Sequence, residues 1–101
     1  MLVIRAHITL LTTAAGGRHG SISSGYRPNL RIGDRYTDVA LKLVGTERLV
    51  PGGEAEVEVV LVNPKYVQDL ITVGAAFDIT EGGRKVGAGT ITSCPAQPHA
   101  T

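Results

Sequence analysis

Strict alternation of apolar and polar residues is the feature that most limits how this chain can fold. From Leu2 to Leu11 every second residue is apolar, with arginine, histidine and threonine on the other face. Glu54 to Val62 repeats the pattern, with valines and a leucine between glutamates, until Val60 and Val62 make its end apolar on both faces. A period of two is typical of half-buried strands, and strands apolar on both faces are typical of sheets covered on both sides. These two segments therefore predict an all-β domain.

Turn residues divide the rest of the chain into further short segments. Four more are predicted to be extended: residues 22–32, which Gly25 and Pro28 interrupt, and residues 38–44, 74–80 and 85–93. Because proline cannot donate to a strand ladder, we expect residues 22–32 to lie at an edge or a bulge. Residues 65–71 have helical spacing but are too few for more than one helical turn. Six segments favour an antiparallel barrel or sandwich, and we favour the closed barrel because closure removes exposed edges.

The composition fits one small domain with an aliphatic core. The chain has 101 residues, of which 43% are hydrophobic, 19% charged and only four aromatic. This balance excludes the disordered class, and no apolar run is long enough to span a membrane. We predict a single barrel over residues 1–93 and a flexible tail over residues 94–101. The single cysteine, Cys94, cannot form an intramolecular disulfide, and the N-terminus does not resemble a signal peptide, so we expect a cytoplasmic protein.

Charge and motif content argue against several kinds of activity. Ten basic residues against nine acidic ones are too few for a protein that coats long nucleic acid, although a local basic patch stays possible in principle. The three scattered histidines and one cysteine do not predict a metal site, and no paired carboxylates or catalytic triad is visible. We expect no cofactor and no enzymatic activity. The chain has no phosphate-binding loop of the Gly-x-x-x-x-Gly-Lys-Ser/Thr type, so we expect no GTP binding by this chain.

Two glycine-arginine segments stand far apart in the sequence, Gly16-Gly17-Arg18-His19 and Glu81-Gly82-Gly83-Arg84. An arginine on a tight, glycine-permitted loop presents a fixed fork of donors that suits phosphate or carboxylate. A structural role competes with this interpretation. Gly82-Gly83 is first of all a hairpin turn, and the arginines and His19 can simply brace loops. Binding by Arg18 is therefore one of two interpretations at this point.

Six motifs in a fixed order give the chain a family resemblance. They are Gly16-Gly17-Arg18-His19-Gly20, Gly25-Tyr26-Arg27-Pro28-Asn29, Thr37-Asp38-Val39, Leu49-Val50-Pro51-Gly52, Leu61-Val62-Asn63-Pro64, and the run from Phe77 through Gly82-Gly83-Arg84 to Gly87-Ala88-Gly89. Together they closely resemble the C-terminal, third domain of translation elongation factor Tu over nearly the whole chain. The resemblance implies a closed six-stranded antiparallel β-barrel.

The resemblance also implies partners. In elongation factor Tu this domain contacts the T-stem backbone of aminoacyl-tRNA, packs on the GTPase domain and is touched by the exchange factor, without catalysing a reaction itself. The family's tRNA-contacting positions correspond here to Arg18, His19, Tyr26, Asn29, Glu81 and Gly82. Arginine can pair with phosphate, whereas tyrosine and asparagine can bond to ribose or phosphate oxygens.

Several positions depart from the family pattern. Ile22, Ser23, Leu30 and Ile32 stand where the family has aromatic residues, and Asn63 replaces a basic residue. We interpret the first four as an altered protein interface, with exposed aliphatic side chains. Residues 33–36 and 65–72 appear longer than in the family, by about two and four residues. Two functions therefore stay open: a module for the T-stem or acceptor arm of tRNA, or a module that docks on a GTPase domain or another translation protein.

Overall fold

The computed structural model describes residues 1–95. Its strands are β1 (Leu2–Leu10), β2 (Ile22–Ser23), β3 (Asn29–Ile32), β4 (Arg35–Val44), β5 (Arg48–Leu49), β6 (Glu54–Leu61), β7 (Ala76–Glu81) and β8 (Arg84–Ser93), with short 3-10 turns at Thr13–Ala15, Pro64–Tyr66 and Gln68–Leu70. Six of the strands form a closed barrel in the order β1-β6-β4-β3-β7-β8, and all of its strand pairs are antiparallel. The predicted fold class is confirmed.

The alternating segments supply the barrel interior. Strand β6 lies between β1 and β4, and its Val59 is in register with Ile4 on one side and Leu41 on the other. All three side chains are buried. The glutamates of β6 face outward, where Glu58 is in register with Arg5 and Lys42. The period of two thus corresponds directly to the inner and outer faces of the barrel.

The stretch predicted as one interrupted extended segment, residues 22–32, divides into two strands with different partners. Strand β2 pairs with β5 in a separate two-stranded sheet, whereas β3 pairs with both β4 and β7. The expected edge position is therefore wrong for β3. Pro28 immediately precedes β3, so every residue of the strand itself keeps its backbone N–H. Strand β4 begins at Arg35, earlier than the predicted start at residue 38, because Gly33 has φ of 61° and closes a tight hairpin with β3.

The predicted protein interface at residues 22–32 is wrong for its three aliphatic members. Ile22, Leu30 and Ile32 are 3%, 1% and 4% exposed and belong to the hydrophobic core. Only Ser23 of the four predicted interface residues is exposed. Leu30 and Ile32 lie on the barrel strand β3, and Ile22 on β2 packs into the same hydrophobic core.

The two lengthened segments meet on one side of the barrel. Residues 65–71, predicted to form no more than one helical turn, instead take part in two successive 3-10 turns, and Val67 between them is fully buried in the core. Arg35, at the start of β4, donates to the Asp69 carboxylate at 2.6 Å and to the Tyr66 carbonyl at 3.4 Å. Residues 64–70 therefore add Val67 to the core and are tied to the β3–β4 hairpin.

The chain beyond β8 is described only as far as Pro95. Cys94 is partly buried and packs against the core. The remainder of the predicted tail, residues 96–101, lies outside the described residues. Within residues 1–95, no helix has the length and apolar character needed to cross a membrane.

Candidate binding site

The hairpin between β7 and β8 presents Glu81 at the end of a strand. Gly82 and Gly83 have φ of 59° and 84°, the conformation of a two-residue turn that glycine adopts without strain. The prediction of a glycine hairpin is confirmed. A Cβ atom built on either glycine would meet no described atom within 4 Å. The turn therefore leaves open space around the two glycines that follow Glu81 in the chain.

The loop after β1 fixes the backbone that carries Arg18. The Thr12 side chain accepts a hydrogen bond from the Ala15 N–H, and Gly16 has φ of 95°. The Thr13 hydroxyl then donates to the Arg18 carbonyl at 2.6 Å. Gly17 packs so closely on this loop that a Cβ there would clash with the carbonyls of Leu11 and Thr12. Glycine at position 17 therefore serves loop packing.

Arg18, Tyr26 and Glu81 converge into one group, here called the Arg18–Tyr26–Glu81 cluster. The Arg18 Nη1 and the Tyr26 hydroxyl both donate to Glu81 Oε2, the latter at 2.5 Å. The guanidinium carbon also lies 4.8 Å from the centre of the Tyr26 ring, a cation–π contact. Arg18 Nε donates to the Gly20 carbonyl at 3.3 Å. The cluster joins the loop after β1 to the β7–β8 hairpin across 63 residues of sequence.

The pKa values of the three groups reflect their mutual contacts. Burial acts to raise the pKa of Glu81, but the hydrogen bonds from Tyr26 and Arg18 and the Arg18 charge outweigh it, and the pKa is lowered. Burial raises the pKa of Tyr26, as does its hydrogen bond to Glu81. Burial alone would lower the pKa of Arg18. The hydrogen bond to Glu81 and the Glu81 charge raise it, and the net effect is a raised pKa. At neutral pH the cluster therefore contains a carboxylate, a guanidinium and a neutral phenol.

We predict that this cluster contributes stability that is lost in acid. The folded Glu81 pKa lies below its unfolded value, so the contribution is present above the unfolded pKa and disappears as pH falls through the folded pKa. Urea unfolding of wild type and Glu81→Gln at pH 7 and at pH 3 is the measurement. We expect the stability difference between the two proteins to shrink at pH 3. A difference independent of pH would show that the ionised carboxylate does not stabilise the fold.

The other predicted tRNA-contacting residues lie around the cluster without joining it. His19 is exposed beside Arg18, and Gly82 is at the open hairpin turn next to Glu81. Asn29 is on β3 in register with Thr80, and its side-chain amide donates to Asp38 at 2.5 Å. The structure thus brings Arg18, Tyr26 and Glu81 into contact, whereas His19 and Gly82 are only their chain neighbours and Asn29 bonds to Asp38 instead.

Sequence reasoning missed a polar cavity that adjoins Asn29. It has a volume of about 170 Å³, and its lining residues are Asn29, Tyr36, Thr37, Asp38, Asn63 and Tyr66. The sequence signal available was indirect: Tyr36 and Tyr66, half of the aromatic residues of the chain, both occur in or next to the two lengthened segments.

The closed six-stranded antiparallel barrel, with a polar cluster that joins a loop to a hairpin, defines a small β-barrel module. The family model described as Elongation factor Tu C-terminal domain matches residues 2–94, and the chain belongs to that family. The resemblance inferred from the six motifs is confirmed. The GTPase activity associated with elongation factor Tu belongs to a different domain.

Proposed function

We propose that this barrel is a non-catalytic module that binds the sugar-phosphate backbone of a tRNA, at the T-stem or acceptor arm. The observation that carries the proposal is the position of the Glu81 carboxylate. It is held by Arg18 and Tyr26 beside a glycine turn that leaves room for a close approach. Membership of the elongation factor Tu family supports the same function.

The cluster offers acceptors and donors suited to a ribose and its neighbouring phosphate. Glu81 Oε2 accepts both protein hydrogen bonds, and Oε1 has no side-chain partner among residues 1–95. A carboxylate oxygen of this kind is a good hydrogen-bond acceptor for a ribose 2′-hydroxyl, the group that distinguishes RNA from DNA. Arg18 uses two of the five N–H donors of a guanidinium on Glu81 and Gly20, which leaves three for a phosphate oxygen.

The internal ion pair also predicts how strongly binding depends on salt. Because Glu81 neutralises much of the Arg18 charge, few phosphates are neutralised when RNA binds. The net charge of +1 adds little long-range attraction. We therefore expect weak binding with a shallow slope, on the order of −2 to −3 in a plot of log K against log salt concentration.

Binding of fluorescent aminoacyl-tRNA, deacylated tRNA and a DNA duplex across a salt series tests the proposal. We expect a preference for tRNA, and Arg18→Ala is expected to weaken tRNA binding about tenfold by removing a charge-assisted hydrogen bond. Arg48→Ala is the matched control, because Arg48 is an exposed arginine on β5, outside the cluster. Equal affinity for tRNA and DNA at low salt would contradict the proposal.

A second candidate function, docking on a GTPase domain or another translation protein, is favoured by an apolar patch on the outer face of the barrel. Val3, Val60 and Ala40 are in register across β1, β6 and β4, and Met1 and Val62 adjoin this row. Met1, Val3 and Val62 are 87%, 42% and 53% exposed. Adjacent exposed aliphatic side chains of this kind are typical of protein contact surfaces. This patch replaces the incorrectly predicted interface at residues 22–32.

The docking function is tested by a pull-down from cytosolic extract with wild type and Val62→Ser. Docking predicts a stoichiometric partner that the variant recovers less well. Val73→Ser is the control, because Val73 is 64% exposed and does not line the patch. Failure to recover a stoichiometric partner or a GTPase with the wild-type protein would contradict this function.

A further inference from the structure

The polar cavity beside Asn29 contains two tyrosines that the proposed RNA contacts do not use. Tyr36 lies near the start of β4, and Tyr66 ends the first 3-10 turn of the lengthened segment. They are 50% and 58% exposed, and both residues line the same cavity. Large aromatic faces open to solvent on a polar surface are available for stacking with a planar group.

Each tyrosine is accompanied by a positive charge. The Arg31 guanidinium carbon lies 5.9 Å from the centre of the Tyr36 ring, and Lys65 Nζ lies 5.6 Å from that of Tyr66. Arg31 and Tyr36 are directly opposite each other on β3 and β4, so this placement follows from the strand register. Aromatic faces with adjacent cations are the combination by which proteins bind unpaired nucleotides, with the base on the ring and the phosphate on the cation.

Hydrogen bonds hold the cavity walls in place. On the side of the lengthened segment, Arg35 bonds to Asp69 and to the Tyr66 carbonyl, which ties the turn that carries Tyr66 to β4. On the side of the barrel, the Asn29 amide donates to Asp38 Oδ1. Asp38 and Asn63 place further acceptors and donors at the cavity wall. These groups can bond to the polar edge of a base whose face lies on a tyrosine.

We infer that this cavity binds one unstacked nucleobase of an RNA that the barrel holds. Its volume of about 170 Å³ resembles that of a cavity that accommodates a single six-membered ring, about 150 Å³. The inference rests on the proposed function, because Asn29 connects the two sites: it lines the cavity and is in register with Thr80, the residue before Glu81. A bound helix at Glu81 would thus have an adjacent unpaired nucleotide within reach of the cavity.

The charges around the cavity distinguish this ligand from an arginine or lysine side chain of a protein partner. Tyrosines and a carboxylate could in principle surround such a cation. Here, however, Arg31 lies over one face of the Tyr36 ring and Lys65 over one face of the Tyr66 ring, both outside the cavity lining, and a further cation on the opposite faces would be repelled. The same two cations attract the phosphate of a nucleotide.

The test uses two fluorescein-labelled RNA hairpins with the same stem, one with a blunt end and one with a single unpaired 3′ nucleotide, measured by anisotropy with the full chain. We expect the unpaired nucleotide to tighten binding about tenfold, the effect of stacking one base on an aromatic side chain. Tyr66→Leu should abolish this gain and leave the affinity for the blunt hairpin unchanged. Tyr66→Phe is the matched control, since it keeps the ring and should keep the gain.

Intrinsic fluorescence gives a second readout. The chain contains three tyrosines and no tryptophan, so stacking in the cavity should quench tyrosine emission, and the double variant Tyr36→Leu with Tyr66→Leu should remove that quenching.

Equal binding of both hairpins, with wild-type Tyr66 present, overturns the inference but leaves the proposed function intact. A third outcome is that unpaired nucleotides bind and that this binding needs Tyr66 but neither Arg18 nor Glu81. This result supports the cavity site and contradicts the proposed function. If neither hairpin binds, the inference and the proposed function are both overturned. If a partner protein prevents the quenching of Tyr66 emission, the cavity is a protein-docking site and the inference is overturned.

Discussion

Gly89→Ala is expected to lower the free energy of unfolding by about 3 kcal/mol, the upper range for forcing extra volume into a packed interior. Gly89 lies on β8 opposite Ile8 of β1, at the junction that closes the barrel. A Cβ at this position would lie 2.8 Å from the His7 carbonyl oxygen and 2.5 Å from Phe77 Cζ. The phenylalanine ring could rotate, but the carbonyl belongs to the backbone of the adjacent strand. The substitution therefore forces β1 and β8 apart.

Thermal and urea unfolding of Gly89→Ala measure this effect, and Gly20→Ala is the matched control. Gly20 lies in a loop, has no positive φ and would place a Cβ in open space. The control should change stability by no more than about 0.5 kcal/mol, as surface substitutions usually do. If Gly89→Ala unfolded at the same urea concentration as Gly20→Ala, the close packing of β1 on β8 would be refuted.

Glu81→Ala is expected to weaken binding of an RNA duplex by roughly 10- to 100-fold, the range for a lost charge-assisted hydrogen bond. The binding of a DNA duplex of the same sequence should not weaken, because DNA has no 2′-hydroxyl to donate to the carboxylate and the released Arg18 still attracts its phosphates. The preference for RNA should therefore disappear. Anisotropy titrations of both duplexes measure the effect, with thermal melts to establish that the variant is folded.

Glu81→Gln separates this mechanism from phosphate binding by Arg18 alone. Glutamine keeps an acceptor oxygen, so most of the preference for RNA should be retained. If the cluster served mainly to bind phosphate, both substitutions would release Arg18 from its internal partner and tighten binding of RNA and DNA alike. Tighter binding by both variants would thus contradict the role given to the carboxylate.

The strands of this protein could be predicted because burial in a barrel leaves a local signature. The alternation in β1 and β6 indicates which side chains face inward, and the two adjacent glycines predict the turn between β7 and β8. The same signature does not say whether an apolar residue faces the barrel interior or a partner. Leu30 and Ile32 were therefore predicted to be exposed, although the pairing of β3 with two neighbouring strands buries them.

The site was less predictable because its contacts join distant parts of the chain. Arg18 and Glu81 could each be named from their glycine-rich segments, but their spacing gives no sign that they pair with each other. The cavity depends on where residues 64–70 pack, and that follows from the burial of Val67 in the core together with the contact of Arg35 with Asp69. The length of a loop can be read from the sequence, but the residues that the loop contacts cannot.

The position of β1 between β6 and β8 has a consequence for how the protein forms during synthesis. Strand β1 is made before both of its partners, β6 and β8, so the barrel cannot close until β8 has emerged. Pairings between such distant segments form slowly, because a long loop must be closed before any contact is gained. Until then the nascent chain carries β1 with one unpaired edge, a state that favours association with other chains. The topology of the barrel therefore leaves β1 open to association with other chains until its last partner strand has been made.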